Sequence, residues 1–124
     1  MRPLLSGRRT AAALGATSAA ALLLSANASA DLGVATYGSS VYWNAAQNSL
    51  LITDTVRDGY SAVARISYGG TVLIFRNANG YGTVKVSNIS LPSGTTRVAI
   101  SACRKDYSAN GPMTGCTAWT WTNA

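Results

Sequence analysis

Residues 60–76 read Tyr60-Ser61-Ala62-Val63-Ala64-Arg65-Ile66-Ser67-Tyr68-Gly69-Gly70-Thr71-Val72-Leu73-Ile74-Phe75-Arg76, and this stretch decides the fold class. In its first half Ala62, Ala64, Ile66 and Tyr68 alternate with Ser61, Arg65 and Ser67. Successive side chains of a strand point to opposite faces, so the alternation predicts a strand with one buried face. Gly69-Gly70 breaks the run. Val72-Leu73-Ile74-Phe75 then places four apolar residues in succession. A continuous apolar strand is expected to be central in its sheet or covered on both sides.

The same alternation extends outward in both directions. Upstream, Val41-Tyr42-Trp43 is the first predicted strand. Leu50, Ile52 and Val56 share one face of the next, Thr53, Thr55 and Arg57 the other, before an Asp58-Gly59 turn. Downstream, Asn77-Ala78-Asn79-Gly80 turns the chain, and Val84 and Val86 alternate with Thr83 and Lys85. Pro92-Ser93-Gly94 is a further turn. Val98, Ile100 and Ala102 then line one face of a strand running into Cys103. The last strand holds Trp119 and Trp121, two residues apart and so on one face. About seven short strands predict an all-β domain, a small antiparallel β-sandwich of Ig-like or related Greek-key type. A Greek-key barrel is the alternative. No internal repeat, low-complexity tract or long linker divides residues 31–124, which read as one domain.

Residues 1–30 read as a secretory signal. Arg2, Arg8 and Arg9 form a positive start, Thr10 to Leu24 an uncharged Ala- and Leu-rich run, and Ala28-Ser29-Ala30 a small-residue cleavage site before Asp31. Spanning a membrane takes roughly 20 consecutive apolar residues. This run is shorter and carries Gly15, Thr17 and Ser18, so a membrane anchor fits poorly. Arg8-Arg9 also raises twin-arginine export, for which the flanking residues give no further support. The expected location is extracellular, after cleavage near Ala30.

Of 10 basic and 4 acidic residues, three arginines belong to the signal, leaving 7 (10 − 3) against 4, a net of +3. Without clustering, that excess predicts neither a nucleic-acid groove nor a lipid-bound surface. Arg104-Lys105 is the single basic doublet and Asp106 follows it at once. Ser, Thr, Asn and Gly supply the polarity and favour strands and turns over helix interiors. Cys103 and Cys116 are the only cysteines, and in an exported chain the pair reads as one disulfide.

Three segments together carry a resemblance: Asp54-Thr55-Val56-Arg57-Asp58-Gly59, Ser61-Ala62-Val63-Ala64-Arg65, and Cys103 followed by Cys116-Thr117-Ala118-Trp119. The chain resembles small exported proteins common in Streptomyces and related actinobacteria, most of them described only as hypothetical secreted proteins. The resemblance implies an extracellular β-rich domain and brings no activity or functional residues with it.

The chemistry the residues could carry is narrow. The chain has no His, which rules out a Ser-His-Asp triad and a His-based zinc site. A glycosidase needs two opposed carboxyl groups, and Asp54 and Asp58 flank a turn, where aspartates sit for structural reasons. The same pair could offer oxygen ligands to calcium. Against that, Arg57 stands between them, and a turn with an Asp54 or Asp58 ion pair to Arg57 or Arg65 is the simpler expectation. The chain is therefore read as no enzyme, with no cofactor and no metal.

Three Trp and six Tyr are many large rings for so small a domain. Rings with a polar tip give apolar contact area at low rotamer cost. Trp119, Trp121, Trp43 and Tyr42 are accordingly candidate ligand-binding residues for a cell-wall or other extracellular polysaccharide. The plainer reading puts Trp43 and at least one of Trp119 and Trp121 in the core. A second candidate is the disulfide-bounded loop 104–115, which could present Lys105, Tyr107 or Met113 to a secreted hydrolase as an inhibitor. The plainer reading there is a long connection stapled by the disulfide. A structural envelope protein is the third possibility. The expected form is a monomer with no nucleic-acid partner and no membrane span.

Overall fold

A computed structural model describes residues 28–124. Most of the predicted signal sequence, residues 1–27, lies outside the described residues. Eight strands follow: β1 (Leu32–Thr36), β2 (Ser39–Asn44), β3 (Ser49–Asp54), β4 (Ser61–Tyr68), β5 (Thr71–Asn77), β6 (Val84–Asn88), β7 (Arg97–Lys105) and β8 (Thr120–Asn123). They form two four-stranded antiparallel sheets, β1-β2-β3-β6 and β5-β4-β7-β8, with the Cys103–Cys116 disulfide in the second. The fold is the small all-β sandwich the alternation predicts. β3 and β6 are neighbours although β4 and β5 lie between them in sequence and belong to the other sheet. The connection is a crossover between layers rather than a meander.

The core is built from the inward alternation. Val41, Trp43, Leu50 and Ile52 of the first sheet are fully buried against Ala62, Ala64, Ile66, Val98, Ile100 and Ala102 of the second. Three alanines on the inner face of the second sheet leave depth, and the large Trp43 ring of the facing sheet supplies volume, as close packing requires. Leu73 and Phe75 close this core from β5.

Three expectations change. The strand count is eight, because Leu32–Thr36 pairs with β2 as an edge strand. Gly33 disguises it in the sequence. A Cβ there would stand in ordinary contact with its cross-strand partner Tyr42, 3.5 Å from Cδ1. β3 ends at Asp54, so Val56 does not extend the face of Leu50 and Ile52. The apolar run Val72–Phe75 is not central: β5 is an edge strand, and Val72 and Ile74 are exposed on its outer side. Of the alternating set in β6, Val84 and Val86 are the outward members, because the β3–β6 register sets Lys85 and Ser87 opposite the buried Ile52 and Leu50.

At one end of the sandwich the β1–β2 turn needs Gly38. Its φ is +87°, and a Cβ there would meet Asp58 Oδ2 at 3.2 Å and Arg104 Cδ at 3.3 Å. The close approach brings Arg104 Nη1 within 3.2 Å of Asp58 Oδ2. That is the one ion pair found among the described residues, and it replaces the Arg57 or Arg65 pairing expected for this turn. No helix among the described residues is long and apolar enough to cross a membrane.

Candidate functional site

The outward face of the second sheet follows from its register. Cross-strand partners share a face, so Val72, Ser67, Ala99 and Trp121 form one transverse row from β5 to β8. Ile74, Arg65 and Ser101 form the next. Trp119 joins this second row through its ring: the Arg65 guanidinium carbon lies 4.5 Å from the ring centroid. Arg97 stacks on Trp121 in the same way at 5.1 Å. The two indoles are 36% and 47% exposed. Neither is a core residue, against the expectation for at least one of them. Core volume is already filled by Trp43, and β8 turns Trp121 away from it.

A local irregularity aims Trp119. Arg104 bridges to Thr114 and Ile100 pairs with Thr120, so residues 115–119 oppose only 101–103. The extra residues make a bulge, a feature that commonly redirects a side chain. Gly115, at φ +62°, takes the left-handed conformation the bulge needs. Hydrogen bonds pin the segment: Thr117 N–H donates to Ala102 O at 2.9 Å, and Ala102 N–H donates to Thr117 Oγ1 at 3.0 Å. Ser101 Oγ donates to Thr117 O at 2.8 Å and accepts from Arg65 Nη2 at 2.9 Å. The disulfide fixes the far end. Ring orientation is thus set by backbone bonds, the disulfide and stacked arginines together, which lowers the ordering cost of a ligand contact.

Trp121 and Arg97 also border an open cleft of about 460 Å³ at one end of the sandwich, with Tyr68, Thr71, Pro92 and Thr96 among its walls. Its lining carries backbone and hydroxyl groups and no carboxylate. Trp121 and Arg97 thus belong both to the outer face and to this cleft.

The other predicted residues scatter. Trp43 is 0% exposed and belongs to the core, so it offers no ligand surface. Tyr42 is exposed on the outer face of the opposite sheet, where its hydroxyl donates to Asp31 Oδ2 at 2.7 Å. Asp31 also accepts from Ala45 N–H at 2.8 Å. These two bonds hold the Asp31 carboxyl below its ordinary value, the Tyr42 bond contributing most, and the carboxylate in turn raises the Tyr42 phenol.

In the disulfide-bounded loop, Tyr107 lies back against the sheet. Arg76 stacks on its ring at 3.9 Å and Lys105 at 4.8 Å. Met113 is half-buried, and Ser108, Ala109 and Asn110 are exposed instead. Asp106 organises the turn by accepting from Ser108 Oγ and from Ala109 N–H. These bonds lower its pKa, with Ser108 contributing most. Asp54 and Asp58 each accept a local backbone N–H, from Val56 and Tyr60, as turn carboxylates do. Among the described residues no three potential metal ligands gather.

Arg65 and Arg97 are the site residues that reading the sequence missed as partners of the rings. Their outward positions follow from alternation. Their stacking on Trp119 and Trp121 depends on pairing between strands far apart in sequence. Comparisons with family models, with curated proteins and with solved structures found no match to this chain.

Proposed function

We propose that this is an exported, non-catalytic protein that binds an extracellular polysaccharide on the outer face of its second sheet. One observation carries the reading: Trp119 and Trp121 are both exposed on the same face and held in place by stacked arginines. An indole presents flat apolar area suited to the C–H face of a sugar ring, and fixed rings lose little entropy on contact. The neighbouring cleft, rich in hydroxyl and backbone groups, supplies hydrogen-bonding partners for sugar hydroxyls. Trp43 contributes only to stability in this reading, and Tyr42 stands outside the site. The inhibitor alternative has less support, because Arg76 and Lys105 both lie over the Tyr107 ring and Met113 is half-buried.

The test is sedimentation of the purified protein with insoluble peptidoglycan, chitin and cellulose. Saturable pelleting with one polymer is expected. Trp119→Ala with Trp121→Ala should weaken it by about tenfold or more, the scale of losing a buried aromatic contact, with the melting temperature little changed. Absence of pelleting with every polymer, soluble polysaccharides also failing to retard the protein in affinity gels, overturns the proposal.

A further inference from the structure

We infer that the polymer this face takes is acidic: a polysaccharide bearing carboxylates, which Arg65 and Arg97 hold while Trp119 and Trp121 stack on its rings. The inference rests on the polysaccharide reading above and adds the ligand's charge class.

The first ground is the segregation of charge. Outward positions of the second sheet carry Arg65, Arg76, Arg97 and Lys105, and no aspartate. The four aspartates are engaged elsewhere. Asp31 holds Tyr42 and Ala45 on the opposite sheet, and Asp54 is buried at the end of β3. Asp58 pairs with Arg104, and Asp106 is turned onto Ser108 and Ala109 of its own loop. Four of the seven cations of residues 31–124 thus share one outer face, with Arg57, Lys85 and Arg104 lying off it. Such a surface attracts a polyanion and repels a cationic competitor.

The second ground is Arg65 itself. Its guanidinium is half-buried and has one hydrogen bond, from Nη2 to the Ser101 hydroxyl, while its Nε is buried with no acceptor. No carboxylate pairs with it among the described residues. Partial burial of a cation without a counter-ion is costly, so an anion arriving at its exposed edge gains more there than at a solvated lysine.

Geometry then selects the carboxylate. A guanidinium carries its N–H groups in its own plane, pointing outward along its edges. A planar carboxylate pairs with that edge in the same plane, which leaves the sugar ring that bears it free to lie against aromatic surface. Two such Arg–Trp units exist, Arg65 with Trp119 and Arg97 with Trp121. Trp119 and Trp121 are separated by two residues, roughly 7 Å of extended chain. A polymer repeating its carboxylate can engage both units at once, and the second contact is then intramolecular.

The experiment is affinity electrophoresis of the purified protein through gels containing polygalacturonate, the same polymer with its carboxyl groups reduced to alcohols, poly-glutamate, or single-stranded DNA. Retardation by polygalacturonate at least tenfold stronger than by its reduced form is expected, with poly-glutamate weak because it lacks sugar rings. Arg65→Gln with Arg97→Gln should bring polygalacturonate binding down to the level of the reduced polymer. Arg65→Lys with Arg97→Lys, which keeps the charge and loses the planar fork, should recover only part of it. Melting temperatures of both pairs check that the fold is retained. Equal retardation by the acidic and reduced polymers, still lost with Trp119→Ala and Trp121→Ala, overturns the inference and leaves polysaccharide binding standing. Poly-glutamate or DNA binding as tightly as polygalacturonate overturns it in favour of a general polyanion surface or a nucleic-acid surface. Failure of both polygalacturonate forms, together with failure of the insoluble polymers, removes the parent reading as well.

Discussion

The two outer faces of this sandwich both expose large apolar side chains and are built on opposite plans. On the first sheet Tyr42, Leu51 and Val86 lie in one transverse row and Ser40, Thr53 and Val84 in the next. No cation occupies either row, and the Asp31 carboxylate is bonded to Tyr42. On the second sheet the exposed rings alternate with arginines, and the C-terminal segment that carries them is stapled by a disulfide and a hydrogen-bonded bulge. Exposed apolar side chains are common on soluble proteins and by themselves mark nothing. What separates the faces is pre-organisation and charge sign: one carries rows without cations and the Asp31 carboxylate, the other a set of fixed rings with unneutralised cations.

The largest expected effect breaks the second face alone. Cys103→Ser with Cys116→Ser opens a loop whose closure is worth about 3 kcal/mol. For a domain of this size that lowers the melting temperature by on the order of 10–20 °C. Calorimetry measures the shift, and tryptophan fluorescence should change with it as Trp119 loses its fixed setting. A smaller effect is expected from Thr117→Val, which removes the acceptor of the buried Ala102 N–H. Leaving a buried donor unpaired costs about 1–3 kcal/mol, readable in denaturant unfolding. An unchanged midpoint would show that the bulge is not held by this bond.

The contrast sharpens with a swap of faces. Tyr42→Ala with Val86→Ser alters the first face at exposed positions and is expected to leave polymer pelleting unchanged. Comparable loss from this pair and from the two tryptophans would show that no face is special. The smallest effect is a pH dependence. Asp31 is depressed in the folded protein, so its bonds support stability above the ordinary carboxylate range and lose that support as pH falls through the lowered folded value. Tyr42 is raised, so its share is present below the ordinary phenol range and fades as pH climbs through that range towards the raised folded value. Asp31→Asn should flatten the acid side of a melting-temperature profile, and Tyr42→Phe the alkaline side. A profile identical in both variants and the parent would remove the pair from the account of stability.

Several parts of the fold were legible in the chain, each because it depends on a period of two. Ala62, Ala64, Ile66 and Tyr68 face the core as their spacing requires, and so do Val98, Ile100 and Ala102. Where period and composition conflicted, reading failed. Gly33 weakened β1 as a strand, and Val72-Leu73-Ile74-Phe75 suggested a covered strand where an edge strand stands. The ring pair was legible as a pair, because Trp119 and Trp121 are close in sequence. Its exposure was not, since that depends on Trp43, placed by a strand of the other sheet, having already filled the core.

The sequence by itself determined the all-β class, the inward and outward sets of most strands, the cysteine pair and the scarcity of carboxylates. All of these are local or compositional properties. Tertiary structure alone decided which strands lie at the edges, which outer face receives the arginines, and that Arg65 and Arg97 meet Trp119 and Trp121. The physical reason is that strand pairing joins residues far apart along the chain. Alternation says only that a side chain leaves the core, and the register of the neighbouring strand decides what it meets there.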